Sequence, residues 1–374
     1  MKAKLLPELR IGDLVIEKPI IQGGMGVGIS LSGLAAAVAN AGGAGIIAGA
    51  GIGMLENGFE KDFKNANRKA LRKHIRKARK LTNGIIGINL MVALSDFESL
   101  VKVAVEEKVD LILIGAGLPL RNLHCLIPDS SSQNKPKVIP IVSSSRAVKI
   151  IFQYWQKNYQ HVPDAVVIEG PLAGGHLGYN QEQIEQQDSK LHKILPEVIS
   201  VLKPFENKFK KNIPVIVAGG IFDGNDIFQY IKAGAQGVQM ATRFVATEEC
   251  DAAQSFKQMF LECKREDLVL IDSPVGMPGR AIGNQFLTEV AKGARKPFKC
   301  FWKCLKTCHF KEAPYCIASA LTAAQKGDFK NGFAFAGANA YRVNEIVPVK
   351  KLVNRLLAEY QQALIAASCT DKLE

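Results

Sequence analysis

Long apolar runs are missing from this chain: no stretch reaches the length needed to cross a bilayer without a glycine or polar interruption. The opening residues MKAKLLPELR also lack the long apolar segment of a secretory leader, and the expectation is a cytoplasmic protein that does not engage membrane. Aromatic residues make up only 7% of the chain, and past Phe63 none interleaves with the basic segment from Lys61 to Lys80. Base stacking is therefore not the use of that charge, and nucleic acid is not an expected partner. No G-x-G-x-x-G fingerprint is present, which argues against a nicotinamide Rossmann site. The eight cysteines include no C-x2-C pair of the kind used by zinc ribbons and bacterial ferredoxins.

What is present is 374 residues, 47% of them hydrophobic, with a formal net charge of +13. The surplus is local, because ten Lys or Arg residues lie between Lys61 and Lys80. Ala66, Ala70, Ile75 and Ala78 would turn one face of that segment to a core. The rest reads as a solvated helix face or as a docking surface for an acidic protein. The most informative stretch runs from Pro214 to Phe244. An apolar strand, Val215 to Ala218, ends at Gly219-Gly220; a helical pattern from Asp223 to Ala233 stops at Gly234; a second strand, Gly237 to Ala241, ends at Thr242-Arg243. Small and hydrogen-bonding residues at the carboxyl ends of two parallel strands are the parts of a phosphate cradle.

Eight strands are expected in all: Ile20 to Gln22, Ala44 to Ala48, Ile85 to Asn89, Asp110 to Ile114, Val138 to Val142, Ala165 to Ile168, and the two above. Most are separated by helical patterns, so the fold class is α/β, a (β/α)8 TIM barrel. Polar or glycine-rich segments follow nearly every strand. They are Gln22-Gly23-Gly24-Met25, Asn89, Ser143 to Arg146, and Glu169 followed by Ala173-Gly174-Gly175-His176. His176 sits among glycines, which favours exposure to a pocket. Glu169 reads equally as a pocket group or as a buried strand-end carboxylate.

The motifs IIQGGMG, EGPLAGGHLG, PVIVAGGI and GVQMATRF, in this order, resemble the nitronate monooxygenase (2-nitropropane dioxygenase) family and its relatives, the FMN-dependent enoyl-acyl-carrier-protein reductases. The resemblance spans roughly Ile11 to Val245, with echoes in GMPGRAI and FAFAGANAYRVNEIV. It implies a barrel that holds FMN without a covalent bond. Ala218, Gly219, Gly220, Gln239, Met240, Ala241 and Thr242 would then surround the phosphate end. Gln22, Gly23, Gly24, Met25 and Asn89 would line the ring, with Glu169 nearby, and Ala173, Gly174, Gly175 and His176 would flank the substrate. The resemblance places Arg146 at or beside a histidine base for neutral nitroalkanes. A guanidinium cannot take up a proton, so Arg146 is expected to bind an anion and the substrate to be a preformed nitronate.

The last third carries Cys300, Cys304, Cys308 and Cys316 within 17 residues. On a helix, spacing of four would align the first three, with Cys316 or His309 completing a [4Fe-4S] or Zn2+ site; reduced structural thiols and redox disulfides are the alternatives. The expected organisation is a barrel over 1–249, a helical cysteine-bearing lid over 250–330, and a segment from 331 to 374 returning to the barrel. Three functions follow. The first is nitronate oxidation by FMN and O2. The second is NAD(P)H-dependent reduction of an enoyl thioester, carried on an acidic carrier protein. The third is a non-catalytic flavin-binding partner.

Overall fold

The computed structural model describes residues 6–127, 135–185, 190–300 and 302–370. Eight parallel strands close into a barrel in chain order: β1 Ile20–Gln22, β2 Ala44–Ala48, β3 Ile85–Met91, β4 Leu111–Gly115, β5 Lys137–Val142, β6 Val166–Glu169, β7 Val215–Ala218 and β8 Gly237–Met240, which returns to β1. All eight expected strands are present, with ends that differ by no more than two residues. Each buries both faces, which is why they read as unbroken apolar runs. Alternation sorts the residues. Val166, Ile168, Val215 and Val217 face the helices, whereas Ala165, Val167, Ile216 and Ala218 fill the barrel interior. An antiparallel hairpin, Leu9–Ile11 with Leu14–Ile16, adds Leu9, Ile11 and Ile16 to that interior and plugs one end.

Helices α1 Ser32–Asn40, α2 Phe63–Leu81, α3 Phe97–Glu106, α4 Ser145–Tyr159, α5 Lys190–Phe209 and α6 Gly224–Lys232 cover the outside. The basic helix α2 buries Ala70, Leu71, Ile75 and Ala78, while Ala66 stays half-buried. Part of its charge is paired: Arg72 and Arg76 with Glu107, Arg79 with Asp110, and Lys73 with Glu56. Helix α6, capped by the box of Asp223 with Asp226, lies one residue inside the expected limits at each end. After β8 there is only a short helix, Thr242–Val245; α7, Val349–Thr370, packs against α6 and α1 and fills the eighth position.

Residues 250–330 cross the open end. Strands Leu268–Asp272 and Pro278–Ile282 pair with each other, and the second pairs with Gly175–His176. The anchor to the barrel is Asp251, whose carboxylate accepts the N–H groups of Leu31, Gly33 and Leu34 at the start of α1. Among the described residues from Trp302 to Cys308 no helix forms, so Cys304 and Cys308 do not have the expected helical register. The chain there runs along the loop after β3, with a bridge between Leu94 and Leu305, Ser95 N–H donating to Cys304 O at 3.0 Å, and Lys306 N–H donating to Ala93 O at 2.8 Å. Backbone pairing of this kind is incompatible with helical hydrogen bonds.

Candidate active site

A cavity of about 520 Å³ opens at the carboxyl end of the barrel, between the strand ends and the 250–330 segment. Strand alternation decides which side chains reach it. Asn89, Glu169, Ala218 and Gln239 have the same parity as the interior layer and stand on top of it as the cavity floor. Gln22 has the opposite parity. It is fully buried, its Oε1 accepts Ile46 N–H at 3.0 Å, its Nε2 donates to Gly23 O, and it does not reach the cavity, contrary to the role expected for it.

One wall is backbone. Gly219 and Gly220 have φ of 93° and 90°, values that side-chain-bearing residues rarely adopt. A Cβ on Gly219 would lie 2.8 Å from Gly170 O, and one on Gly24 would lie 2.3 Å from Asn89 Cβ. Gly23, Met25, Met240, Ala241 and Thr242 complete this side, with Thr242 Oγ1 accepting Gly337 N–H at 3.1 Å and Asn339 Nδ2 donating to Gly220 O at 2.6 Å. Arg243 is not on the wall; it stacks over Phe222 at 4.4 Å, and Arg342 stacks on the same ring at 4.2 Å. Gln239 Oε1 is buried without a hydrogen-bond partner, an acceptor that a bound group would satisfy. A flat ring with polar edges and a phosphate tail, the shape and chemistry of FMN, fits this combination of close backbone approach and unsatisfied amide.

The facing wall is built on Ala173, Gly174, Gly175 and His176. The buried guanidinium of Arg280 holds this loop by donating to Pro171 O and Ala173 O, both at 2.7 Å. His176 Nε2 meets Ser273 Oγ at 2.7 Å and its ring packs edge-on against Phe335. Burial lowers its pKa to about 4, so the imidazole is neutral at physiological pH, with one ring nitrogen unprotonated and less basic than that of an exposed histidine. Burial also raises Glu169 to about 7. Phe256, Phe260, Phe333 and Met277 close the top.

Two expectations are corrected. Arg146 is exposed on the first turn of α4 and is not part of the cavity; Ser143, Ser144 and Ala147 are. The helix buries Val148, Ile151, Phe152 and Trp155, and Arg146 lies off that stripe. Among the described residues, no three His, Cys, Asp or Glu side chains are placed to hold a metal ion. Cys304 is buried at the cavity edge, its pKa raised to about 12 by burial and by the neighbouring Cys316, Cys300 and Cys308. His309 is exposed. The positions not expected from sequence were Asn339, Gly337, Arg280 and the phenylalanines of the cover. GMPGRAI and FAFAGANAYR carried a signal for some of them, but their distance in sequence from the barrel hid it.

The nitronate monooxygenase family model matches residues 8–107 and 94–359. Probable nitronate monooxygenases of Staphylococcus saprophyticus and Staphylococcus aureus are each 28% identical over 310 and 309 residues, covering 75% of this chain and 79% of theirs. Among solved structures, FabK from Thermotoga maritima superposes with a TM-score of 0.72 at 29% identity, covering 95% of this chain and 96% of that one. The nitroalkane oxidase of Streptomyces ansochromogenes shares the fold, with a TM-score of 0.69 at 22% identity over 94% of this chain and 97% of that one. With the glycine wall, the neutral histidine and the closed barrel in one arrangement, the chain belongs to the nitronate monooxygenase family and is an FMN-dependent oxidoreductase.

Proposed function

We propose that this enzyme oxidises alkyl nitronates with O2. The observation that carries the reading is the union, in one cavity, of a glycine wall suited to a flat cofactor and an opposing neutral imidazole, His176. FMN, when bound, supplies the electron-transfer chemistry between substrate and O2. Gly219, Gly220 and Thr242 would hold its phosphate. Gly23, Gly24, Met25 and Asn89 would lie along its ring, and the Gln239 amide would satisfy its polar edge. The phenylalanine cover excludes water, which strengthens every polar contact beneath it. With Arg146 outside the cavity, the reason to confine the substrate to preformed nitronates falls away. In this reading His176, hydrogen-bonded to Ser273, would accept the α-proton of a neutral nitroalkane, an uphill transfer for a base of pKa about 4, so neutral nitroalkanes should turn over more slowly than their nitronates. The test is O2 consumption by FMN-loaded protein with 1-nitropropane and with its nitronate. Uptake that depends on FMN is expected, and its absence with both compounds would sink the reading.

A second reading is reduction of an enoyl thioester by NAD(P)H. Supporting it are the 29% identity to FabK over nearly the whole chain and the exposed Lys64, Lys303 and Lys306 beside the cavity residues Phe63, Cys304 and Leu305, which suit an acidic carrier. Bleaching of the flavin by NADPH without oxygen, followed by turnover of a crotonyl thioester, would move the assignment to this reaction.

A further inference from the structure

The two sides of the cavity differ in chemistry. In the closed barrel β3 and β4 stand across from β7 and β8, whose ends carry much of the glycine wall. On the far side the lining is apolar. Leu94 and Leu118 come from the loops after β3 and β4, Phe63 opens α2, Leu305 bridges to Leu94, and Ala318 and Leu321 share a face of the helix Ile317–Gln325. Leu305 joins them into one surface, because it packs against the cluster of Leu94, against that of Phe63 and Ala318, and against a third that Leu321 also touches. Phe63, Leu94 and Ala318 are buried, whereas Leu118 is 37% exposed and marks where the lining meets solvent. Among the described residues no Lys, Arg or Asp lines the cavity, and its Glu169 and His176 belong to β6 and the loop after it, beside β7.

We propose that this apolar arm holds the chain of the substrate, so that the enzyme takes nitronates with an apolar alkyl chain and no polar group at its far end. The inference rests on the nitronate oxidation proposed above and names the substrate class of that site. The groups suited to a flavin, namely the left-handed glycines, Thr242, Asn89 and the Gln239 amide, sit at or just beyond strand ends. All six residues of the arm belong instead to loops, to α2 or to the cover. An alkyl chain gains by leaving water for such a surface, and a polar terminus would give up its water there without finding a partner.

The test measures, by calorimetry on the FMN-loaded protein, the affinity of straight-chain amides from butanamide to octanamide, which cannot react and carry no charge. Affinity should rise about fourfold per added methylene and level off once the chain reaches solvent at Leu118. 6-Hydroxyhexanamide should bind about tenfold or more weaker than hexanamide. In Ala318→Phe, whose ring would fill the arm, octanamide should lose most of its advantage over butanamide; if this variant does not fold, the wild-type series decides by itself. Equal affinity across the series, full tolerance of the hydroxyl, or release of FMN by octanamide would overturn the proposal, the last because the arm would then be cofactor space. The same chain lengths are also run as nitronates for O2 uptake. Chain-dependent amide binding without nitronate turnover would refute the proposed reaction and leave the arm standing, whereas nitronate turnover with flat amide binding would do the reverse.

Discussion

His176 and Gly219 show two ways in which a single residue serves this cavity. His176 contributes chemistry: its ring is neutral because burial withholds the proton, and Ser273 Oγ at 2.7 Å fixes its orientation. Replacing it by Gln preserves volume and a polar contact but no base. We expect FMN binding to be retained and turnover of neutral nitroalkane to fall by about 10²- to 10⁴-fold, with a smaller loss for preformed nitronate, as measured by initial rates of O2 uptake. Gly219 contributes an absence. With φ at 93° and Gly170 O 2.8 Å from any Cβ, Gly219→Ala should cost roughly 2–3 kcal/mol and weaken FMN binding by about tenfold or more in a flavin-fluorescence titration. Gly58 is a control: its φ is 75° but nothing lies within 4 Å, so Gly58→Ala should cost only about 1 kcal/mol and leave FMN binding unchanged. Both glycines have a left-handed φ, and the neighbours distinguish what a Cβ would cost at each.

At the scale of elements, α1 depends on a residue far away in the chain. Its own N-terminal residue, Leu31, offers no side-chain cap, and Asp251 supplies three acceptor contacts in its place. Asp251→Ala leaves those donors without their charged partner and should destabilise the protein by about 2 kcal/mol, seen as a lowered thermal midpoint. The same contact ties the cover segment to the barrel, so the variant should also weaken FMN retention on gel filtration. Helix α2 illustrates what a pattern can and cannot say. Its apolar positions are spaced for one buried face, and Ala70, Ile75 and Ala78 occupy that face as expected. Spacing misled at Cys300 to Cys308, where four-residue intervals fit a helix that backbone pairing with residues 93–95 prevents. At Arg146 it was the resemblance that misled, since this residue lies on the first turn of α4 but on its exposed side.

For the molecule as a whole, two titrating groups of the cavity contribute opposite pH dependences to stability. Glu169 has its folded pKa raised to about 7 from 4.5, so the acid form favours folding. That contribution is complete below about pH 4.5 and is lost as pH rises through 7, with a ceiling of about 3 kcal/mol that cavity water will reduce. His176 has its folded pKa lowered to about 4 from 6.5, so its contribution is present above about pH 6.5 and is lost as pH falls through 4. Thermal scans of the FMN-free protein should therefore show the difference between wild type and Glu169→Gln shifting against the wild type from pH 5 to pH 8. A constant difference would mean that Glu169 is not buried as an acid.

The sequence by itself determined the barrel, the eight strands in order and the glycine ends of β1, β6 and β7, because continuous apolar runs, turn residues and helical spacing are local properties that survive without a partner. Only the tertiary structure decided which strand-end side chains serve the cavity. Gln22 and Asn89 both close expected strands, yet Gln22 is spent on the backbone of Ile46 and Gly23 while Asn89 reaches the cavity, since a one-residue difference in parity sends a side chain to the opposite face. The same holds for the cover. Phe256, Phe260, Met277, Phe333 and Asn339 reach the cavity through contacts between distant segments, and no local pattern encodes a packing partner a hundred residues away.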